Sequence, residues 1–190
     1  FSRKIKKKLQ TKKSNFFLFD PNPHLNIPDF NYHKIALSDQ IGLSDFYLNE
    51  FMPSGGSSLK TIVKDDRIWR LSRKILTLSF KKNYFSKSKV QTDTLDNFCH
   101  TNKIGKIDIL KIDVEGSELD VLMGSTNILK KTYLIQIEIL EKKENFENFY
   151  SKIRNYLENE FGYRMIVEKN IWTLNLFSGM RAKDILFIKK

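Results

Sequence analysis

One cysteine, three histidines and four prolines are few for a chain of 190 residues. Cys99 has no second thiol to bond with and no cysteine neighbour with which to build a zinc knuckle. Disulfide scaffolds and cysteine-rich metal modules are therefore excluded, and Cys99 reads as a plain structural thiol. The histidines are scattered: His24 follows a proline-rich turn from which it can approach a pocket, whereas His33 and His100 show no ligand spacing and read as surface residues. Nor does any apolar run approach the roughly 18 to 20 residues that a membrane-spanning helix needs, and the lysine-rich start lacks the apolar stretch of a secretory signal. A cytoplasmic protein without a transmembrane segment is the expectation.

Hydrophobic residues make up 41% of the sequence and aromatic residues 13%, enough to bury one sizeable core. The length is short for two, so a single domain over 1–190 is expected. The net charge of +11 is unevenly spread: residues 1–13 hold seven bases and no acid, residues 60–89 hold ten bases and two acids, and elsewhere acids outnumber bases by four. Two readings stay open, solvated lysines that reflect a compositional bias, or attraction of an anionic substrate, nucleic acid or membrane surface. No RNA-recognition motif and no aromatic-basic strand accompanies the charge, so no specific nucleic-acid partner is expected.

Along the chain, Phe1, Ile5 and Leu9 lie four apart and predict a short amphipathic helix. FFLFD, residues 16–20, is an apolar run halted by Pro21 and Pro23, a strand ending at Asp20. KIALSD, residues 34–39, repeats that form with Asp39 at its end, and SDFYLNE alternates weakly as an extra strand. PSGGSSL opens a basic insertion or lid at about 53–89, within which IWRLSRKILTL suits a short helix. KVQTDTLDNF predicts a strand entering a helix capped by Asp93 or Thr94. IDILKIDV is a strong strand. After Gly116 the period becomes helical, with Ser117 and Asp120 at the spacing of a capping box. YLIQIEIL predicts a fully buried strand. The following helix carries Phe146, Phe149, Tyr150, Ile153, Tyr156 and Leu157 on one face, with Gly162 as its C-terminal cap. YRMIVEKNI and DILFIKK close the chain as a strand pair.

Apolar strands alternating with amphipathic helices indicate an α/β fold with a mostly parallel sheet, helices on both faces and an antiparallel C-terminal strand. In such sheets ligands bind beyond the carboxyl ends of the strands, and Asp20, Asp39, Asp113 and Glu138 all fall at or near such ends. Asp20 suits bidentate hydrogen bonding to the two hydroxyls of a ribose; its alternative is a strand-ending acid that accepts turn N–H groups.

KIDVEGSELDVLMG, residues 111–124, resembles the signature of the FkbM-type methyltransferases. FLFDPNP, IALSD, GGSSL, TDTLDNF and IQIEI resemble further pieces of that family in the family's order, over roughly residues 16–140. The resemblance implies a Rossmann-like class I methyltransferase sheet that uses S-adenosyl-L-methionine for O-methylation of a hydroxyl on a sugar, glycolipid or other small metabolite. The family's opening strand and glycine-rich D-x-G-A-x-x-G turn have no counterpart here, so the sequence reads as an N-terminally truncated member that is itself inactive, or as a degenerate one. The competing function is a non-catalytic Rossmann-like module that binds RNA or another polyanion.

The resemblance also implies ribose binding by Asp20, with Asn22 shaping its turn and Ala36, Leu37, Ser38 and Asp39 bordering an adenine. Asp113 is then the candidate general base or acceptor-orienting group, with Glu115 two residues on and Gly116 letting the chain turn tightly. Favourable charge at a helix start is the competing reading for Glu115 and the preferred one for Glu118. Glu138 can face the same pocket, and Ser57 and Ser58 can contact acceptor or cofactor from their loop or serve as flexible filler. Two carboxylates on separate strands are weak evidence for a divalent ion, and no metal is expected. The partner expected is a small acceptor, anionic or carbohydrate.

Overall fold

The computed structural model describes residues 15–28, 30–49, 57–60, 85–171 and 180–190. The expected N-terminal helix, Gly55, Gly56 and the IWRLSRKILTL segment lie outside them. The described residues form a mixed α/β structure rich in strands. β1 (Phe17–Phe19) runs parallel to β2 (Asn31–His33). β5 (Phe85–Asp93) lies between β3 (Ala36–Leu37), to which it is parallel, and β4 (Gly42–Asn49), to which it is antiparallel. A four-stranded sheet has the order β6 (Ile107–Ile112), β7 (Thr132–Lys142), β9 (Met180–Lys189), β8 (Tyr163–Ile171). In it β6 and β7 are parallel, while β9 is antiparallel to both its neighbours.

Among the described strands parallel and antiparallel pairings are equal in number, so the expected predominance of parallel strands is not met. The reason is local. The SDFYLNE strand folds back along the full length of β5, and the closing strand pair inserts β9 between β7 and β8.

Three α-helices are described, α1 (Leu95–Thr101), α2 (Glu118–Met123) and α3 (Phe146–Asn155), the last running on into a π-helical turn, Tyr156–Glu160, and a 3-10 turn spans Ile128–Lys131. Phe146, Tyr150, Ile153 and Leu157 recur at helical spacing, and all four are buried against Ile135, Ile137 and Ile139 of β7 and Ile185 and Phe187 of β9. Burying side chains of this size contributes roughly 1.5 to 3 kcal/mol each, which makes this layer the main source of stability. Gly162 follows with φ +66, a left-handed value that glycine adopts without strain.

YLIQIEIL is not buried on both sides as expected. Ile135, Ile137 and Ile139 are fully buried, but Leu134, Gln136, Glu138 and Leu140, on the opposite face, are only half-buried. α2 and α3 pack on the isoleucine side.

A second small cluster positions the strand ends. Leu95 and Cys99 of α1, with Ile128, form its buried centre, and Phe19, Leu37 and Leu110 pack onto it. Phe19 ends β1, Leu37 ends β3, and Leu110 lies near the end of β6. The same apolar patch therefore holds the ends of β1 and β3, whose next residues are Asp20 and Ser38–Asp39, against β6 from Ile107 to Leu110, three residues before Asp113. Thr94 caps α1 as expected, its hydroxyl accepting from the Asn97 N–H at 3.1 Å. Burial pushes the Cys99 thiol up to about 11, with the nearby Asp96 charge adding to the effect, in keeping with a structural role.

His33 is not a surface residue. Its ring packs against Phe19 and Phe98 with centroids 5.4 and 4.7 Å away, Nε2 is buried without a hydrogen-bond partner among the described residues, and desolvation lowers its pKa. The alternation of β2 turns it toward α1, where only a neutral imidazole fits comfortably.

Candidate active site

The chain leaves β6 through Asp113, Val114, Glu115 and Gly116. Glu115 has φ +54 and Gly116 φ +101. Left-handed backbone is natural for glycine but costs a non-glycine residue of order 1 kcal/mol or more, so other bonds must hold Glu115 there. The Ser58 hydroxyl is one of them, donating to the Glu115 carbonyl at 2.7 Å. Ser58 is itself fixed by two backbone hydrogen bonds to Tyr47 of β4, at 2.8 and 3.1 Å. Ser57 Oγ accepts from the Asn49 N–H at 3.0 Å. These serines are clasps between β4 and the turn after β6, which corrects the flexible-filler alternative.

The turn's other clasp is Glu118. It is fully buried, and Oε1 accepts the Gly116 N–H at 2.8 Å, while Oε2 has no hydrogen-bond partner among the described residues. Burial pushes its carboxyl up to about 8; the backbone bonds oppose that shift, the Glu115 charge adds to it and Lys60 works against it. Burial thus favours the neutral carboxyl, and a fully buried Glu118 bonded to the Gly116 N–H speaks against its reading as a favourable charge at the helix start. The capping box is absent too. Ser117 has ψ +20, outside the extended region a cap residue needs, and its hydroxyl makes no cap bond, while Asp120 pairs with Lys60 at 2.7 Å.

On the acceptor side, β6 ends beside the middle of β7, which runs on from Ile137 to Lys142, so Glu138 lies within its strand and not at a strand end as expected. Lys111 lies opposite Gln136 and Ile112 opposite Ile137, so Asp113 comes level with Glu138 on the half-buried face. Lys111 Nζ forms an ion pair with Asp113 Oδ2. Gln136 Nε2 donates to both oxygens of Asp184 on β9, each at 2.9 Å. Burial raises the Glu138 pKa, and the charges of Asp113 and Asp184 raise it further against the opposing effect of Lys111.

The residues read as bordering a nucleoside lie at the ends of β1 and β3. Asp20 Oδ1 accepts the Asn22 N–H at 2.9 Å, so the turn-capping alternative is realised with one oxygen. Oδ2 makes no hydrogen bond among the described residues, leaving one carboxylate oxygen for a hydroxyl, and burial raises the pKa of the group. Asn22 is buried, its side-chain oxygen accepting the His24 N–H at 3.0 Å, so it shapes the turn. Ala36 and Ser38 are buried and Leu37 packs on both core clusters, which leaves Asp39 exposed at this strand end. Ser38 N–H donates to the Asp93 carbonyl at 2.9 Å, and its hydroxyl donates to Asp39 Oδ1 at 3.1 Å. This donor set fits a nucleoside: a free carboxylate oxygen at one strand end and an exposed acid at the next.

Gly124 was not singled out from the sequence, yet it locks this strand end. A Cβ there would stand 2.0 Å from the Ser38 carbonyl oxygen. The Gly124 carbonyl accepts the Asp96 N–H at 3.0 Å, and the Asp96 carboxylate accepts the N–H groups of Asn127 and Ile128, each at 2.8 Å to its nearer oxygen.

No set of three or more His, Cys, Asp or Glu side chains suited to a metal ion occurs among the described residues, and no described helix is long and apolar enough to cross a membrane.

Comparison with known proteins adds the following. The family profile described as Methyltransferase FkbM domain matches residues 1–165. A curated protein named 2-O-methyltransferase NoeI, from Sinorhizobium fredii (strain NBRC 101917 / NGR234), is 28% identical over 149 residues, which cover 69% of this chain and 56% of that protein. The chain therefore matches little more than half the length of this curated relative. No solved structure matches it.

Proposed function

This chain belongs to the FkbM methyltransferase family, and on that premise we propose that it forms the acceptor and nucleoside sides of an S-adenosyl-L-methionine-dependent O-methyltransferase acting on a hydroxyl of a sugar, glycolipid or other small metabolite. The observation that carries this reading is the packing of the ends of β1 and β3, together with β6, on one apolar cluster. It supports a site in which Asp20 and Ser38–Asp39, following β1 and β3, lie toward the same edge as Asp113, which follows β6. The name of the relative, a 2-O-methyltransferase, favours oxygen as the atom methylated. In this reading the described sheets are parts of a Rossmann-like methyltransferase sheet within a single domain.

Asp20 Oδ2 and Asp39 are the groups that would hold the cofactor's nucleoside, with Asn22 and Ser38 setting their turns. When bound, S-adenosyl-L-methionine supplies a methyl carbon activated by a sulfonium. The protein's own contribution is positioning, together with a group that takes the acceptor's proton. Asp113 and Glu138, level with each other beside the Glu115–Gly116 turn, are the candidates for that group. Glu115 is fixed in a left-handed conformation and serves this reading as part of the turn.

The test of the nucleoside site is calorimetry with S-adenosylhomocysteine on the protein that carries this chain. Asp20→Ala removes a charged acceptor and should weaken binding by about 1.5 to 3 kcal/mol, roughly 10- to 150-fold. Full affinity in a folded Asp20→Ala variant would take Asp20 out of the site.

A further inference from the structure

We infer that Glu138, and not Asp113, is the group that takes the proton from the acceptor hydroxyl, and that Asp113, held by Lys111, orients the acceptor beside it. The inference rests on the methyltransferase reading above and assigns the roles within its site.

The argument begins with register. Parallel pairing of Lys111 with Gln136 and of Ile112 with Ile137, continued by one residue, brings Asp113, just past the end of β6, beside Glu138 within β7, and the Asp113 charge reaches Glu138. Glu138 also stands directly across from Asp184 on β9. A row of carboxylates, Asp113, Glu138 and Asp184, thus crosses the three strands.

Hydrogen bonding then separates the three. Asp113 is neutralised by the Lys111 ammonium. Both oxygens of Asp184 are occupied by the Gln136 amide. Glu138, the middle member, accepts no hydrogen bond from any described residue; the charges that reach it are Asp113 and Lys111 from β6 and Asp184 from β9. The Asp113 oxygen held by the Lys111 ammonium is already engaged. A carboxylate that is half-buried and flanked by two like charges gains most from binding a proton, which is the property a general base needs. The same geometry suits a carbohydrate: two carboxylates side by side can receive adjacent hydroxyls, one to be methylated and one to fix the ring.

The reaction balances with these residues. As the acceptor oxygen forms its bond to the methyl carbon, the carbon–sulfur bond breaks with its electron pair remaining on sulfur, and the hydroxyl proton passes to a Glu138 carboxylate oxygen. Water removes that proton after product leaves.

Two measurements test the assignment. Carbon-13 NMR titration of the glutamate carboxyls should find Glu138 titrating above the ordinary glutamate range, and Asp113→Asn should bring it down, because one like charge is gone. An ordinary Glu138 titration, indifferent to Asp113→Asn, would overturn the proposal whether or not any acceptor is known. The second measurement follows labelled methyl from S-adenosyl-L-methionine into a panel of free mono- and oligosaccharides. Glu138→Gln should lower kcat by about 10² to 10⁴ with S-adenosylhomocysteine affinity kept, and should remove the acid limb of the kcat–pH profile. Asp113→Asn should act mainly on KM. The reverse pattern returns the base to Asp113. If the wild-type protein methylates no saccharide, the acceptor reading fails while the titration still decides the properties of Glu138.

Discussion

Replacing Gly124 with alanine is expected to lower stability by about 1 to 3 kcal/mol or more, the range for forcing atoms into a filled space. For a chain of this length that corresponds to a fall in Tm of roughly 2 to 12 °C. The obstacle is backbone: a Cβ at 124 would lie 2.0 Å from the Ser38 oxygen and 3.0 Å from its carbonyl carbon. No side-chain rotation relieves that overlap, so either α2 or the Ser38–Asp39 strand end must move. Because Ser38 and Asp39 are read as nucleoside contacts, the variant should also bind S-adenosylhomocysteine more weakly than its stability loss alone explains. Gly105 is the control. A Cβ there meets nothing within 4 Å, so Gly105→Ala should leave Tm unchanged or raise it slightly. Equal melting temperatures for the two variants would mean that the α2 terminus does not press on Ser38.

Much of this arrangement was legible in the letters. IDILKIDV and YLIQIEIL announced strands by their apolar runs, and the spacing of Phe146, Tyr150, Ile153 and Leu157 announced α3, because burial against a sheet demands that period. Asp20, Asp39 and Asp113 were recognisable as strand-end acids for the same reason. What stayed hidden depended on the third dimension. The contact of Gly124 with Ser38 leaves no local trace, since a glycine after a helix reads as an ordinary cap. Ser58's bond to the Glu115 carbonyl spans 57 residues. The open face of β7 was visible in principle, for Gln136 and Glu138 alternate with buried isoleucines, but the run's overall apolarity outweighed two polar letters. Glu118 was misread because an acid at a helix start looks the same in sequence whether it faces water or the core.

That acid carries the strongest pH dependence expected of the fold. Its carboxyl titrates near 8 in the folded protein against a reference of 4.5, so between those values the unfolded chain has released a proton that the folded chain keeps. Stability contributed by Glu118 is therefore complete below about pH 4.5, declines as pH rises through the window, and levels off above about 8. In mid-window the slope approaches about 1.4 kcal/mol per pH unit. Other groups titrate alongside: Asp20 and Glu138 are raised and act in the same direction, while His33 is lowered and acts in the opposite one. The difference between wild type and Glu118→Gln isolates the one group. Glutamine keeps an oxygen for the Gly116 N–H and cannot ionise, so denaturant unfolding should show the two proteins nearly alike at pH 5 and the variant increasingly the more stable toward pH 9. Glu118→Ala, which strands the Gly116 N–H and leaves a cavity, should be destabilised at every pH. A constant difference between wild type and Glu118→Gln from pH 5 to 9 would show that this carboxyl is ionised in the folded protein across the range, and that the turn after β6 is held by a charge.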